Sequence, residues 1–132
     1  METMSWQQQL SGADVYLKRV KKNSNSYSPD LLYNLCAMAI EQYFMALCVY
    51  KNVLPENHRF SDLVDAVSSF TPVDGNIIED LKKMEAMQEI CSLEGYSRKK
   101  STIEDVPFYI TTTEVIRAFV IYHIPEASAV NS

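Results

Sequence analysis

The run from Leu31 to Tyr50 constrains this chain more than any other segment. Its apolar residues recur in two seams at helical spacing. Leu31, Leu35, Met38, Met45 and Val49 form one, and Leu32, Cys36, Ala39, Tyr43, Ala46 and Tyr50 form the other. Ile40, Phe44 and Leu47 fill a third side. A helix that is apolar on nearly every side cannot lie on a surface, so it belongs in the middle of a bundle. Ser28, Pro29 and Asp30 mark its start: a capping hydroxyl, a ring that presets the first helical φ, and a carboxylate facing the positive end of the helix dipole. The steady polar stripe is Asn34 and Glu41. Together with Gln42 these residues interrupt the run and make it a core helix instead of a membrane span.

The flanking segments repeat the helical period. Residues 5–22 place Trp6, Leu10, Ala13, Leu17 and Val20 at steps of three and four, with Gly12 costing roughly 1 kcal/mol against Ala. Lys51 to Arg59 is a turn containing Pro55, and residues 61–70 form a short helix with Leu63, Val64 and Val67 inward. Thr71 and Pro72 read as the cap and first position of a fourth helix. It runs to about Leu93, uses Ile77, Leu81, Met84, Ile90 and Cys91 for the core, and stops at Glu94-Gly95. Residues 96–109 form a charged loop. Thr111 and Glu114 have capping-box spacing and start the last helix, whose apolar set is Val115, Ile116, Phe119, Val120 and Ile124. Pro125 ends it. The expected architecture is all-α: an antiparallel, up-down bundle of four long helices plus one short helix. It occupies a single domain over residues 1–132, with the core at about 5–124 and a disordered tail at 126–132.

At 132 residues the chain is long enough to bury a core without staples. The three cysteines, Cys36, Cys48 and Cys91, are odd in number, form no Cys-x-x-Cys pair and lie within apolar pattern. They read as buried, reduced thiols of a cytoplasmic protein. The first ten residues carry no signal-type apolar run. A net charge of −5 argues against a general nucleic-acid coat, and no DNA-specific motif appears. There is no glycine-rich phosphate loop or nucleophile elbow, and no cofactor is implied. Asp62 and Asp65 share a face of the short helix without a histidine or third carboxylate to complete a metal site, so no metal is expected. His58 has the chemistry of a ligand or general base, but in an interhelical turn it reads first as a loop anchor. Glu41, in the polar stripe of a buried helix, is either paired, with Arg117 a candidate, or shifted in its pKa.

Seven of the 12 basic residues fall in two clusters, Lys18, Arg19, Lys21, Lys22 and Arg98, Lys99, Lys100. In an up-down bundle the first and fourth helices run the same way, so both clusters lie at one end. They either complement the negative ends of helix dipoles or, through Lys18, Lys22, Arg98 and Lys99, bind an anionic ligand such as phosphate, nucleotide or RNA backbone.

The run Ala39-Ile40-Glu41-Gln42-Tyr43-Phe44-Met45-Ala46-Leu47 resembles the Ala-x-Glu-Lys-x-Leu-Lys-Ala-Leu pattern in the second helix of the HEPN family, small helical bundles linked to nucleotidyltransferases and to RNA-cleaving toxins. His58-Arg59-Phe60-Ser61-Asp62-Leu63, after Pro55, is similar to the family's His-x-Leu-x-x-Leu. The resemblance spans roughly residues 5–124. Both family lysines are replaced, by Gln42 and Met45, which removes the basic groove they would line. Catalytic members carry Arg-x(4–6)-His, and this chain has a formal match in Arg117 and His123. Its spacer is almost wholly apolar, and Ala118 follows the arginine in place of a polar residue. Six residues along a straight helix separate the two side chains by about 120°. The resemblance therefore implies a non-catalytic binding module, homodimeric, that partners a nucleotidyltransferase or binds a nucleotide- or RNA-like anion. The alternative it implies is a toxin-like, metal-independent ribonuclease, paired with an antitoxin-type protein and using Arg117 and His123. Tyr43, Phe44, Tyr50, Tyr109 and Tyr122 serve either as core or as a partner face.

Overall fold

A computed structural model describes residues 4–94 and 102–130. Among these residues the chain forms six α-helices and one 3-10 turn. They are α1 (Trp6–Lys22), α2 (Pro29–Lys51), α3 (Phe60–Ser68), α4 (Gly75–Glu94), α5 (Val106–Tyr122) and α6 (Pro125–Val130), with the 3-10 turn at Ile103–Asp105.

The central position of α2 follows from its composition. Twelve of its 23 residues are buried, and it packs on α1, α3 and α5, so it is covered by protein on most of its circumference. By length and hydropathy alone α2 is also apolar enough to cross a membrane. Ser28 caps its start, the hydroxyl accepting from the Leu31 amide at 3.2 Å. Asn52 ends it in the left-handed region at φ 58°, a conformation asparagine tolerates better than most residues. Leu31 and Met38, expected in an apolar seam, are 43% and 44% exposed. The solvated stripe of α2 is thus wider than Asn34 and Glu41 alone.

Pairs of side chains give the direction of each helix. Trp6 meets Tyr50 edge-on at 5.7 Å, and Asp14 meets Tyr43, so α1 and α2 are antiparallel. Tyr33 meets Tyr109 at 5.1 Å near the starts of α2 and α5, whereas Tyr43 and Arg117 both reach Asp14 farther along. These two helices run the same way. The Tyr33 hydroxyl donates to the Met84 carbonyl at 2.8 Å, and Tyr109 reaches the Met87 sulfur at 3.6 Å. The second half of α4 therefore lies beside the first turns of α2 and α5, at the end of the bundle where α1 terminates.

Three element boundaries differ from expectation. Helix α4 starts at Gly75, not Pro72: the first carbonyl to accept its amides is that of Asp74, from Ile77 and Ile78 at 3.0 and 3.1 Å. Thr71, whose amide still bonds back to the Val67 carbonyl of α3, lies ahead of the position that caps α4. Helix α5 starts at Val106, ahead of the Thr111–Glu114 spacing. A box of Thr102 and Asp105, with the Thr102 amide donating to the Asp105 carboxylate at 2.9 Å, opens the 3-10 turn that leads into it, and Pro107 lies in its first turn. Thr113 is accommodated inside the helix by donating its hydroxyl to the Tyr109 carbonyl at 2.7 Å. Finally, Pro125 breaks α5 but opens α6. Ala127 of α6 is 1% exposed, and Glu126 accepts from the Tyr50 hydroxyl at 2.8 Å. The four-plus-one arrangement becomes six helices, because a proline that ends one helix is well suited to the first turn of the next.

Candidate functional site

Gly12, the residue that weakens α1 locally, marks a close approach: the Gln42 side-chain oxygen lies against the space a Cβ would fill. That oxygen is buried and has no hydrogen-bond partner among the described residues. Met45 is 7% exposed. The two positions that carry lysines in the HEPN pattern thus face protein in this chain.

Two residues farther along α1, a half-buried polar junction lies at the edge of the core. The Asp14 carboxylate accepts the Tyr43 hydroxyl and, on the same oxygen, the Arg117 Nε–H at 2.8 Å. Three helices, α1, α2 and α5, meet in this contact. Tyr43 has no exposed surface. Burial, reinforced by the adjacent carboxylate, pushes its phenol well above the usual tyrosine range, so it stays a donor. Hydrogen bonding to Asp14 raises the Arg117 guanidinium further, against the opposing effect of burial. Arg117 is therefore a fixed cation whose charge is matched within the chain.

His123 has a different role. It ends α5, and its Nδ1 lies 2.8 Å from the Phe119 carbonyl, which requires the proton on that nitrogen. Its ring packs on Phe119 at 4.4 Å and Tyr122 at 5.1 Å. Arg117 reaches across to α1, while His123 folds back on its own helix. Among the described residues no contact joins them.

The expected Glu41–Arg117 pairing is not formed. Glu41 pairs with Nδ1 of His58 at 3.0 Å, with both side chains more than a third exposed. Turn 52–59 is thereby fastened to α2, the anchoring role expected of His58. Asp62 is held by Arg59 at 3.2 Å. Of the five aromatic residues considered for a partner face, Tyr43, Phe44 and Tyr109 have no exposed surface, whereas Tyr122 is 80% exposed.

At the carboxyl end of α1, Lys18 and Lys22 line an open depression together with Arg19, Asn23 and Tyr27. Lys21 points elsewhere, to Glu114 of α5 at 2.8 Å. Arg98 and Lys99, the other half of the expected anion site, lie outside the described residues.

The sequence pattern did not single out Asp14 or Tyr27, and it placed Arg19 in the basic cluster without assigning it to the anion site. Asp14 had a signal: it is the sole acid of α1 and directly follows Ala13 of the buried Leu10-Ala13-Leu17 stripe. The choice between Asp14 and Glu41 as partner of Arg117 was set by helix rotation.

The bundle matches the crystal structure of an archaeal HEPN homologue with a TM-score of 0.75 at 15% sequence identity, over 92% of this chain and 99% of that chain. No family model and no curated protein matches the sequence. An identity this low carries no information about activity, but the shared geometry is extensive: this chain has a HEPN-like fold.

Proposed function

We propose that the chain is a non-catalytic, HEPN-like binding module of the cytoplasm, homodimeric, that engages a nucleotidyltransferase-type protein or an anionic, nucleotide- or RNA-like ligand. The observation that carries this reading is the Asp14–Arg117 pair. A ribonuclease of this fold needs Arg117 and His123 directed at one phosphate. Here the arginine is neutralised within the chain and the histidine is turned to a carbonyl of its own helix.

The test is direct. Purified protein incubated with mixed RNA should leave it intact, as should Arg117→Ala and His123→Ala variants. Cleavage by the parent that is lost in both variants would overturn the reading in favour of the toxin-like ribonuclease.

The homodimer draws support from α5. Pro107, Thr111, Val115, Ala118 and Tyr122 recur at helical spacing along its exposed side without a charge among them. Val115 is 46% and Tyr122 80% exposed. An uncharged stripe that ends in an exposed aromatic residue has the composition of an interface. Sedimentation should show a dimer in the parent and a monomer in Tyr122→Asp with unchanged helicity; a monomeric parent removes the homodimer from the proposal.

A further inference from the structure

We propose that the corner between α1 and α2 is a binding site for a phosphate monoester, built from Lys18, Arg19, Lys22 and Tyr27. This rests on the reading of the chain as a module for an anionic ligand, and it gives that ligand a place and a chemistry.

The corner is concave and framed. The depression is shallow and open to solvent, with a volume of about 590 Å³. Its floor is the last turn of α1 and the loop that follows. The Asn23 carbonyl accepts from the Ser26 and Tyr27 amides at 3.0 and 2.9 Å, and the Asn23 side chain donates to the Arg19 carbonyl at 2.8 Å. These bonds fold the chain back within one turn, and Tyr27 lines the depression together with the cations.

The charge in the corner exceeds what the helix end needs. A helix carboxyl terminus carries roughly half a negative charge. Lys18, Arg19, Lys21 and Lys22 face it; Lys21 is neutralised by Glu114. Among the described residues no carboxylate pairs with the other three. Asp14, four residues before Lys18 on α1, is taken up by Tyr43 and Arg117, and Asp30, in the first turn of α2, is not among the lining residues. Dipole complementation therefore accounts for a small part of the cluster. Lys18 and Lys22 are also four residues apart on one helix, where like charges repel. A bound dianion would relieve that repulsion.

Chemistry and size select the ligand class. A phosphate monoester carries about −1.5 to −2 charges at pH 7 and three terminal oxygens. That matches three cations within little more than one helical turn, whereas a polyanion would need a longer track. The Tyr27 ring offers an apolar wall to the group esterified to the phosphate. Inorganic phosphate, a sugar phosphate and a nucleotide share this head group.

Calorimetry on the full chain at low ionic strength, with inorganic phosphate, ribose 5-phosphate, AMP and adenosine, tests the site. The three phosphate-bearing compounds should bind and adenosine should not. Lys18→Gln with Lys22→Gln should weaken binding about tenfold or more, while Lys18→Arg with Lys22→Arg should keep it. Tyr27→Leu should weaken AMP and ribose 5-phosphate more than inorganic phosphate. Lys21→Gln should change nothing. The proposal is overturned if no phosphate compound binds, if the double glutamine variant binds like the parent, or if Lys21→Gln weakens binding equally, which would indicate diffuse attraction. Failure here with intact RNA leaves the non-catalytic reading standing; RNA cleavage lost in Arg117→Ala and His123→Ala overturns that reading independently.

Discussion

Ala46→Asp should not fold: its circular dichroism should show no cooperative unfolding transition. Ala46 has no exposed surface and lies on the stripe Ala39, Tyr43, Ala46 and Tyr50. Tyr43 and Tyr50 of that stripe touch Asp14 and Trp6 of α1. The two alanines thus let the backbones of α1 and α2 approach. Burying a carboxylate there costs several kcal/mol. Overpacking adds about 1–3 kcal/mol, against a total stability of about 5–15 kcal/mol for a domain. Met38→Asp is the control on the same helix. Its side chain is half-exposed, so the expected loss is about 0.5 kcal/mol or less. Equal stabilities of the two variants would contradict the placement of α1 on α2.

The second large effect belongs to Asp14. Asp14→Ala removes the shared acceptor of Tyr43 and Arg117 and leaves a buried phenol without its partner. Hydrogen bonds to a charged group contribute about 1.5–3 kcal/mol each. The ion pair is more than a third exposed on both sides, so solvent screens it. The net expected loss is about 2 kcal/mol, with the Tyr43 bond the larger share. A cycle of Asp14→Ala with Arg117→Met, followed by urea unfolding, separates the two bonds. Zero coupling would show that Arg117 is not held by Asp14 in solution and would remove the main support for a non-catalytic module. The same network has an alkaline signature. The phenol of Tyr43 is raised by burial and by Asp14, so the folded state holds its proton more tightly than the unfolded chain. Its contribution to stability is present below the unfolded value, about 10, and is lost as pH rises above it. Stability of the parent should fall more steeply above about pH 10 than that of Tyr43→Phe.

Legibility in the sequence tracked the range of the interactions involved. The Ser28 cap and the all-round apolarity of α2 are local properties, and both stand in the structure. The start of α5 was misplaced because two boxes of similar form compete. Thr111–Glu114 has the right spacing, but the backbone is already helical there, and Thr102–Asp105 opens the turn ahead of Pro107. Thr71 failed as a cap because α4 begins at the Asp74 carbonyl, while the chain at Thr71 is still bonded back to α3. In each case the residue types were informative and the hydrogen-bond bookkeeping of the neighbouring element decided between them.

For the candidate sites, the sequence supplied the components and left their partners open. Arg117 is legible as a lone cation on an apolar helix, yet its partner is Asp14, 103 residues away in the chain. The basic end of α1 is legible as a charge run, but not that Lys21 leaves it for Glu114 while Tyr27 turns back toward it.

From sequence alone came a helical bundle built around α2, because period and composition determine which face of a helix must leave water. Tertiary structure alone decided that Arg117 and His123 diverge and that Gln42 lies against Gly12. Those outcomes depend on the rotation and axial offset of each helix against its neighbours. Such offsets are set by side-chain packing across the whole core, and no local pattern of residues encodes them.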